Sequence, residues 1–393
     1  MYDFSDKNIR LDLLKKKAFN LRWAEQADGV IPLTAADTDF LPPEPISAAL
    51  KKYIDEGYFP YVPKLGMPDV RQSIARSLFL RKSEPIKPEL LLPIDSAARG
   101  MYIITKAVLQ PGDEAIIFDP VDFLFRESVL SAGAEPVLFP AKVVNGRIDL
   151  EALESYVTEK TRLIGLCNPH NPLGMVYSKE DLERILDIAN RHDLWIMNDE
   201  IWSDIIYTDS DFISIMTLPH TEKVLSVFGF SKSFGLAGLR VGCVYCTDPS
   251  AFDLMVEASD VLTTAGGVSS LSQVAAKACV DECYPWLDEF RAFLTQNRDY
   301  ALGRLAEMPG VKCHKPQATF VLFPDISGTG MEAVHLTEYL KENFKVALVP
   351  GGEQFFGPGS KGHIRICIST SRSILSEGLD RLELGLRQLK GTN

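Results

Sequence analysis

The stretch Ser231-Lys232-Ser233-Phe234-Gly235-Leu236-Ala237-Gly238-Leu239-Arg240-Val241-Gly242 puts a lysine in a small, glycine-rich loop after an apolar, β-rich run. Such a loop tends to bury the amine, and burial lowers an amine's pKa. A neutral amine attacks carbonyls and forms a Schiff base. Arg240, eight residues on, has the two-pronged donor geometry that clamps a phosphate. The plain alternative is a loop lysine beside an unrelated arginine. Two further segments bear on the choice. Asn168-Pro169-His170-Asn171-Pro172-Leu173-Gly174 follows a strand-like run, and its prolines and glycine make a rigid loop that aims two amides. Asn198-Asp199-Glu200-Ile201-Trp202 ends the next such run. A carboxylate there serves to hold a proton on a heteroaromatic nitrogen, or, more plainly, to cap a helix.

These groups must be positioned by the elements around them. Ala115–Phe118, Pro136–Phe139, Leu163–Cys167, Trp195–Asn198, Val224–Phe228 and Val241–Tyr245 read as buried strands. Helical patterns lie between them. In Lys179–His192, Leu182, Ile185, Leu186 and Ala189 recur at helix spacing behind a cap at Ser178, with Asp181 three residues on. Such alternation predicts an α/β fold with a mostly parallel sheet covered by helices. Ligands bind at the C-terminal ends of strands in sheets of this kind. All three segments stand there. The tail changes character: helical patterns over 290–308 and 374–389 flank β-like runs at 319–323 and 363–368, which predicts a smaller α+β unit.

With these residues in this order, the chain resembles the class I/II aminotransferase family of fold-type I pyridoxal-phosphate enzymes. The S-K-x-F-G-L-A-G-L-R-x-G and N-P-x-N-P-x-G stretches carry the resemblance, which spans nearly the whole chain. It implies a large domain over 45–285 with a mostly parallel seven-stranded sheet, a small α+β domain over 286–393, and a segment over 1–44 packing on the small domain. It also implies a homodimer with the active site at the subunit boundary. Pyridoxal 5'-phosphate is the implied cofactor, with amino acids and 2-oxo acids as substrates.

The resemblance further implies individual roles. Lys232 matches the Schiff-base lysine, Asp199 the partner of the pyridine nitrogen, and Asn171 the donor to the cofactor's phenolic oxygen. Arg240, Ser231 and the Ser96-Ala97-Ala98 helix opening match the phosphate site, where backbone N–H groups meet the anion. Arg365 matches the clamp on the substrate's α-carboxylate, beside Asn171 and Ala36. Tyr61 matches a tyrosine reaching the neighbouring subunit's phosphate.

Several positions depart from the family pattern. Gly229 stands where a Ser or Thr phosphate ligand is common, and Trp202 where Tyr or His is. Asp122 aligns with the ring-stacking aromatic, which leaves Phe123 as the stacking ring and Asp122 free to face the substrate. Ala35-Ala36-Asp37-Thr38-Asp39-Phe40 and His170 are similar to the cystathionine β-lyase-like subgroup. The leading expectation is therefore an aminotransferase. A carbon–sulfur β-lyase releasing pyruvate and ammonia is the alternative, and a non-catalytic regulator on the same fold is the third reading.

Composition narrows the partners. There are 41 Lys and Arg against 53 Asp and Glu, a net charge of −12, which disfavours nucleic-acid and anionic-membrane partners. No apolar run reaches the roughly 18 residues of a membrane span, and the first ten residues lack a signal-peptide core. The expected location is cytoplasmic. Seven cysteines make no disulfide framework, and with no second pair at zinc spacing Cys243 and Cys246 read as buried thiols on opposite strand faces, so no metal is expected.

Overall fold

The computed structural model describes residues 2–263 and 265–391. Its central sheet has seven strands: β1 (Leu91–Ile94), β2 (Glu114–Asp119), β3 (Glu135–Pro140), β4 (Thr161–Cys167), β5 (Trp195–Asp199), β6 (Val224–Gly229) and β7 (Gly242–Tyr245). Their order is β1-β7-β6-β5-β4-β2-β3, and β7 alone runs antiparallel to its neighbours. The inner strands are mostly apolar because both faces are covered. Along β2, Ile116 and Phe118 join one core while Ala115 and Ile117 join the other, as the two-residue period of a strand requires.

Helices α1 (Glu44–Asp55) and α2 (Pro68–Lys82) precede the sheet. Helices α3 (Ala97–Val108), α4 (Leu124–Ser131) and α6 (Pro249–Ala258) cover one face; α5 (Lys179–Arg191) and α7 (Ser270–Glu282) pack into the other core. α5 matches the expected pattern. The Ser178 hydroxyl accepts the Asp181 N–H at 3.2 Å, and the Asp181 carboxylate accepts the Ser178 N–H at 3.1 Å, a reciprocal cap. β1 was not expected, because Pro93 lies inside it. As an edge strand it has no neighbour on one side, so the missing N–H costs nothing there.

The C-terminal part holds α8 (Tyr284–Ala306), α9 (Ala333–Phe344) and α10 (Arg372–Gly391) around three antiparallel strands. These are β8 (Val321–Leu322), β9 (Val349–Pro350) and β10 (Ile364–Cys367), in the order β8-β10-β9. α8 starts six residues before the expected position 290, since Pro285 sits in its first turn and opens the helix instead of breaking it. The run at 319–323 shortens to two residues, with Thr319 held at φ +73°.

The first forty residues are tied to this part. Ile31 and Pro32 pair in parallel with Val346 and Ala347, and the Leu33 carbonyl accepts the Cys367 N–H at 3.0 Å. Arg22 is buried against Asp39, whose carboxylate also accepts the Trp23 indole N–H at 2.7 Å. Cys243 and Cys246 are buried free thiols that join opposite cores. Among the described residues no helix is long and apolar enough to cross a membrane.

Candidate active site

The parallel strands β4, β5 and β6 end side by side: Cys167 is level with Asp199, and Asp199 with Val227. Their exits, the α3 opening, the loop after β2, the 20–37 segment and β10 enclose a cavity of roughly 340 Å³. Its wall includes Ala36, Ser96, Ala97, Ala98, Asp122, Phe123, Asn171, Asp199, Trp202, Ser231, Lys232, Arg240 and Arg365. Every expected site residue except Tyr61 lines it. Tyr61 stands 94% exposed and outside the cavity of its own chain.

Lys232 follows β6 in a single helical turn. Its Nζ donates to the Ala36 carbonyl at 2.7 Å and lies 5.4 Å from the Trp202 ring centre. Burial pulls its pKa down; Asp37 pulls it back up and Arg365 presses it lower. Trp202 is itself buried, edge-to-face with Phe320 at 4.7 Å. The indole thus forms the floor under the amine, a role that needs no acceptor.

Asp199 ends β5. Its Oδ1 accepts the Ile201 N–H at 3.0 Å, yet burial pushes its pKa up to about 7, the Ile201 bond working against that shift and Asp122 with it. A cation placed directly against this carboxyl would favour its ionised form. Behind it sits Cys167, whose Sγ is 4.0 Å from Asp199 Oδ2 and accepts the Asn171 N–H at 3.4 Å. Asn171 is buried; its Nδ2 donates to Asp122 Oδ2 at 2.9 Å while its Oδ1 has no protein partner. Asp122, in turn, accepts the Leu124 N–H at 3.2 Å. Phe123 opens α4 and remains 42% exposed.

The opening of α3 is an anion cradle. Ser96 caps it, accepting the Arg99 N–H at 3.1 Å. The Ala97 and Ala98 N–H groups find no partner among the described residues, and helix N-termini attract anions. The sheet lets this helix come close: a Cβ on Gly242 would stand 2.8 Å from Ala97 N, and one on Gly229 would stand 3.1 Å from Ala97 Cβ. A side chain at 229 would therefore press on Ala97, so Gly229 gives the cradle room as well as lacking a ligand group. Arg240 stands beyond, at φ +50°.

Arg365 is buried on β10, its guanidinium 4.9 Å from the Phe356 ring centre. Nη2 reaches the Thr34 carbonyl at 3.5 Å, and Nε has no partner. A buried guanidinium with a free N–H edge is prepared for a carboxylate. His170 is different. Both its ring nitrogens are without partners, and burial pushes its pKa down to about 3. It does not line the cavity but packs edge-on to Phe118. The residue shared with the lyase-like subgroup is thus a neutral core side chain here.

Asn20, Leu21, Phe355 and Phe356 also line the cavity and were not anticipated. The first two have φ of +61° and +66°, and no motif marks them. Glu200, next to Asp199, belongs to a buried cluster: Lys82 Nζ is 2.7 Å from Glu200 Oε2 and 2.8 Å from Glu84 Oε1. Burial and Glu200 push Glu84 up to about 8, so one cation balances one anion. Lys82→Ala strands the Glu200 charge. Urea unfolding should show a loss of about 3–5 kcal/mol, while Lys82→Ala/Glu200→Gln recovers part of it.

The chain matches the family model for aminotransferase class I and II over residues 28–382. An aspartate aminotransferase of Pyrococcus abyssi is 33% identical over 391 residues, covering 98% of this chain and 99% of that one. The crystal structure of an aromatic aminotransferase from Pyrococcus horikoshii superposes with a TM-score of 0.86 at 31% identity, covering 93% and 97%. Cystalysin from Treponema denticola, which contains pyridoxal 5'-phosphate, superposes with a TM-score of 0.91 at 23% identity, covering 99% and 100%; that likeness concerns the fold. The chain belongs to the class I and II aminotransferases.

Proposed function

We propose that this protein is a pyridoxal-phosphate-dependent aminotransferase that moves an amino group from an L-amino acid to a 2-oxo acid, with Lys232 holding the cofactor covalently. The observation that carries the reading is the meeting, in one cavity, of an enclosed lysine amine, a carboxyl held near neutrality and a helix opening with free N–H groups. The residues fit the group. Asp199 has no ion-pair partner among the described residues, Ala97 and Ala98 have N–H groups to offer an anion, and Asn171 has an amide to offer. When bound, pyridoxal phosphate supplies a carbonyl carbon for amines and a ring that takes up the electrons released at the substrate's Cα.

The protein's own tasks follow. Asp199 would carry its charge beside the cofactor's ring nitrogen and hold a proton there. Ala97, Ala98, Ser96, Ser231 and Arg240 hold the phosphate. Asn171 donates toward the phenolic oxygen, and Trp202 and Phe123 wall the ring. Arg365 takes the substrate's α-carboxylate beside Ala36 and Asn171. Lys232 would hold the cofactor covalently, and its Nζ would be the group that takes up the α-proton and returns it. We read residues 1–44, 45–285 and 286–393 as the three parts that build this site. We also read a cytoplasmic homodimer, in which exposed Tyr61 reaches the partner's phosphate site.

Elimination of a β-thiolate would use the same residues. The full-length relatives sharing 30–33% identity are named aminotransferases, and that favours transamination. Incubation with single L-amino acids tests it. One 2-oxo acid per site without an acceptor, and sustained turnover only when a 2-oxo acid is added, is expected. Sustained pyruvate and ammonia from cystathionine without an acceptor would overturn it.

Arg365→Ala should separate substrate from cofactor binding. A charge-assisted bidentate pair is worth about 3 kcal/mol, so KM for amino acids should rise roughly 100-fold. Cofactor loading, read from absorbance, should stay within about twofold. A parallel loss of both would remove Arg365 from the substrate site.

A further inference from the structure

The cavity holds three cations, and each has a task under the reading above: Lys232 holds the cofactor, Arg240 its phosphate and Arg365 the α-carboxylate. Of the two carboxyls on the wall, Asp199 serves the ring nitrogen. Asp122 remains. It has no ion-pair partner among the described residues, and it lies within electrostatic reach of both Arg365 and Lys232.

Asp122 is also held rigidly. Its Oδ2 accepts the Asn171 amide at 2.9 Å, its Oδ1 accepts the Leu124 N–H at 3.2 Å, and its own N–H reaches the Asn171 carbonyl at 3.2 Å. The flanking Val121 and Phe123 N–H groups donate to the Phe356 and Phe355 carbonyls, each at 3.0 Å. Since a carboxylate only accepts, Asn171 must present its NH2 to Asp122, which settles the orientation of that amide. An ionised carboxylate has about four acceptor positions. Two are taken, and two remain for a ligand. Leu21, Leu124, Val349, Phe355 and Phe356 line the same cavity and offer an apolar path for a side-chain stem.

The geometry points to Asp122 as the residue that sets donor preference: the preferred amino acid carries a basic head group, an amine or guanidine, on an apolar stem, and aspartate and glutamate are disfavoured. The inference rests on the aminotransferase reading. Three physical terms decide it. A cationic head gains a charge-assisted bond to a preorganised acceptor. A second carboxylate meets a like charge, with no free cation among the described cavity residues to offset it. A neutral aromatic side chain gains only the apolar walls.

The test compares kcat/KM for ornithine, lysine and arginine with that for aspartate, glutamate and phenylalanine, using the cofactor-loaded enzyme and one 2-oxo acid acceptor. Calorimetry on α-methylornithine, which has no α-proton to lose, reads binding without turnover. The basic donors should lead. Asp122→Asn keeps an acceptor for Asn171 and removes the charge. It should cost the basic donors about 10- to 100-fold more in kcat/KM than it costs phenylalanine, and weaken α-methylornithine to match. Asp122→Glu should keep the preference. Aspartate or phenylalanine leading in the native enzyme overturns the inference, as does an equal loss for every donor in Asp122→Asn. If the loaded enzyme turns over no donor of any class, the aminotransferase reading fails, and the α-methylornithine affinity of native and Asp122→Asn protein still decides the role of Asp122.

Discussion

Replacing Lys232 by alanine should remove at least about four orders of magnitude from kcat. Two functions disappear together: the covalent hold on the cofactor and the group that carries the α-proton. General acid–base transfer alone contributes roughly 10²–10⁴, and loss of the amine nucleophile adds to that. The fold should survive. Nζ makes one hydrogen bond, to the Ala36 carbonyl, and the tryptophan it faces is held independently against Phe320. An unfolding midpoint within a few degrees of the native one is therefore expected. Borohydride reduction and peptide mass mapping provide the direct readout. In the native enzyme the cofactor mass should sit on the peptide carrying Lys232, and in Lys232→Ala on none. Retained turnover, or a mass found on another lysine, would move the covalent role elsewhere.

How far the site could be read in advance follows from where each residue sits. Lys232, Asp199 and Asn171 each stand just after an apolar run that had to be a buried strand. In a parallel sheet those ends lie along one edge, where ligands bind, so the three are expected at the same edge. The register bears this out, with Cys167, Asp199 and Val227 level. Arg365 was legible only through a family pattern, because it comes from a separate small sheet that reaches the cavity by tertiary packing. Asn20, Leu21, Phe355 and Phe356 carry no local signal, since they enter the wall from loops far apart in the chain. The two glycines beside Ala97 illustrate another limit. Gly242 has no sequence signal for this role, yet a Cβ there would meet the Ala97 backbone at 2.8 Å, and Gly229, which looks like a lost phosphate ligand, also stands close to Ala97. β1 was hidden by Pro93, which is harmless only on an edge strand.

Asp199→Asn should make the cofactor-free protein more stable and the enzyme nearly inert. The native acid is buried, which raises its pKa from 3.8 to about 7. The folded state therefore binds this proton more tightly than the unfolded chain does. Between those two values the folded state holds more protons, so stability falls as pH rises. The contribution is fully favourable below about pH 4 and is lost as pH climbs through 7. A displacement of that size is worth about 4 kcal/mol. An amide oxygen still accepts the Ile201 N–H and carries no charge. Urea unfolding of cofactor-free protein should then show native and Asp199→Asn enzymes diverging from pH 5 to pH 8, with the variant ahead by a few kcal/mol at the alkaline end. Bound cofactor should reverse the order. Asp199 would pair with the protonated ring nitrogen of a bound cofactor, so the native enzyme should gain more stability on loading than the variant does. Activity should follow the charge. Losing one buried, preorganised electrostatic partner costs about 10²–10³ in kcat, and Asp199→Glu, which keeps the carboxylate, should recover part of it. Equal pH dependence of the two cofactor-free proteins would show that Asp199 is already ionised in the fold, and the site would then need a cation from within the chain to hold it so.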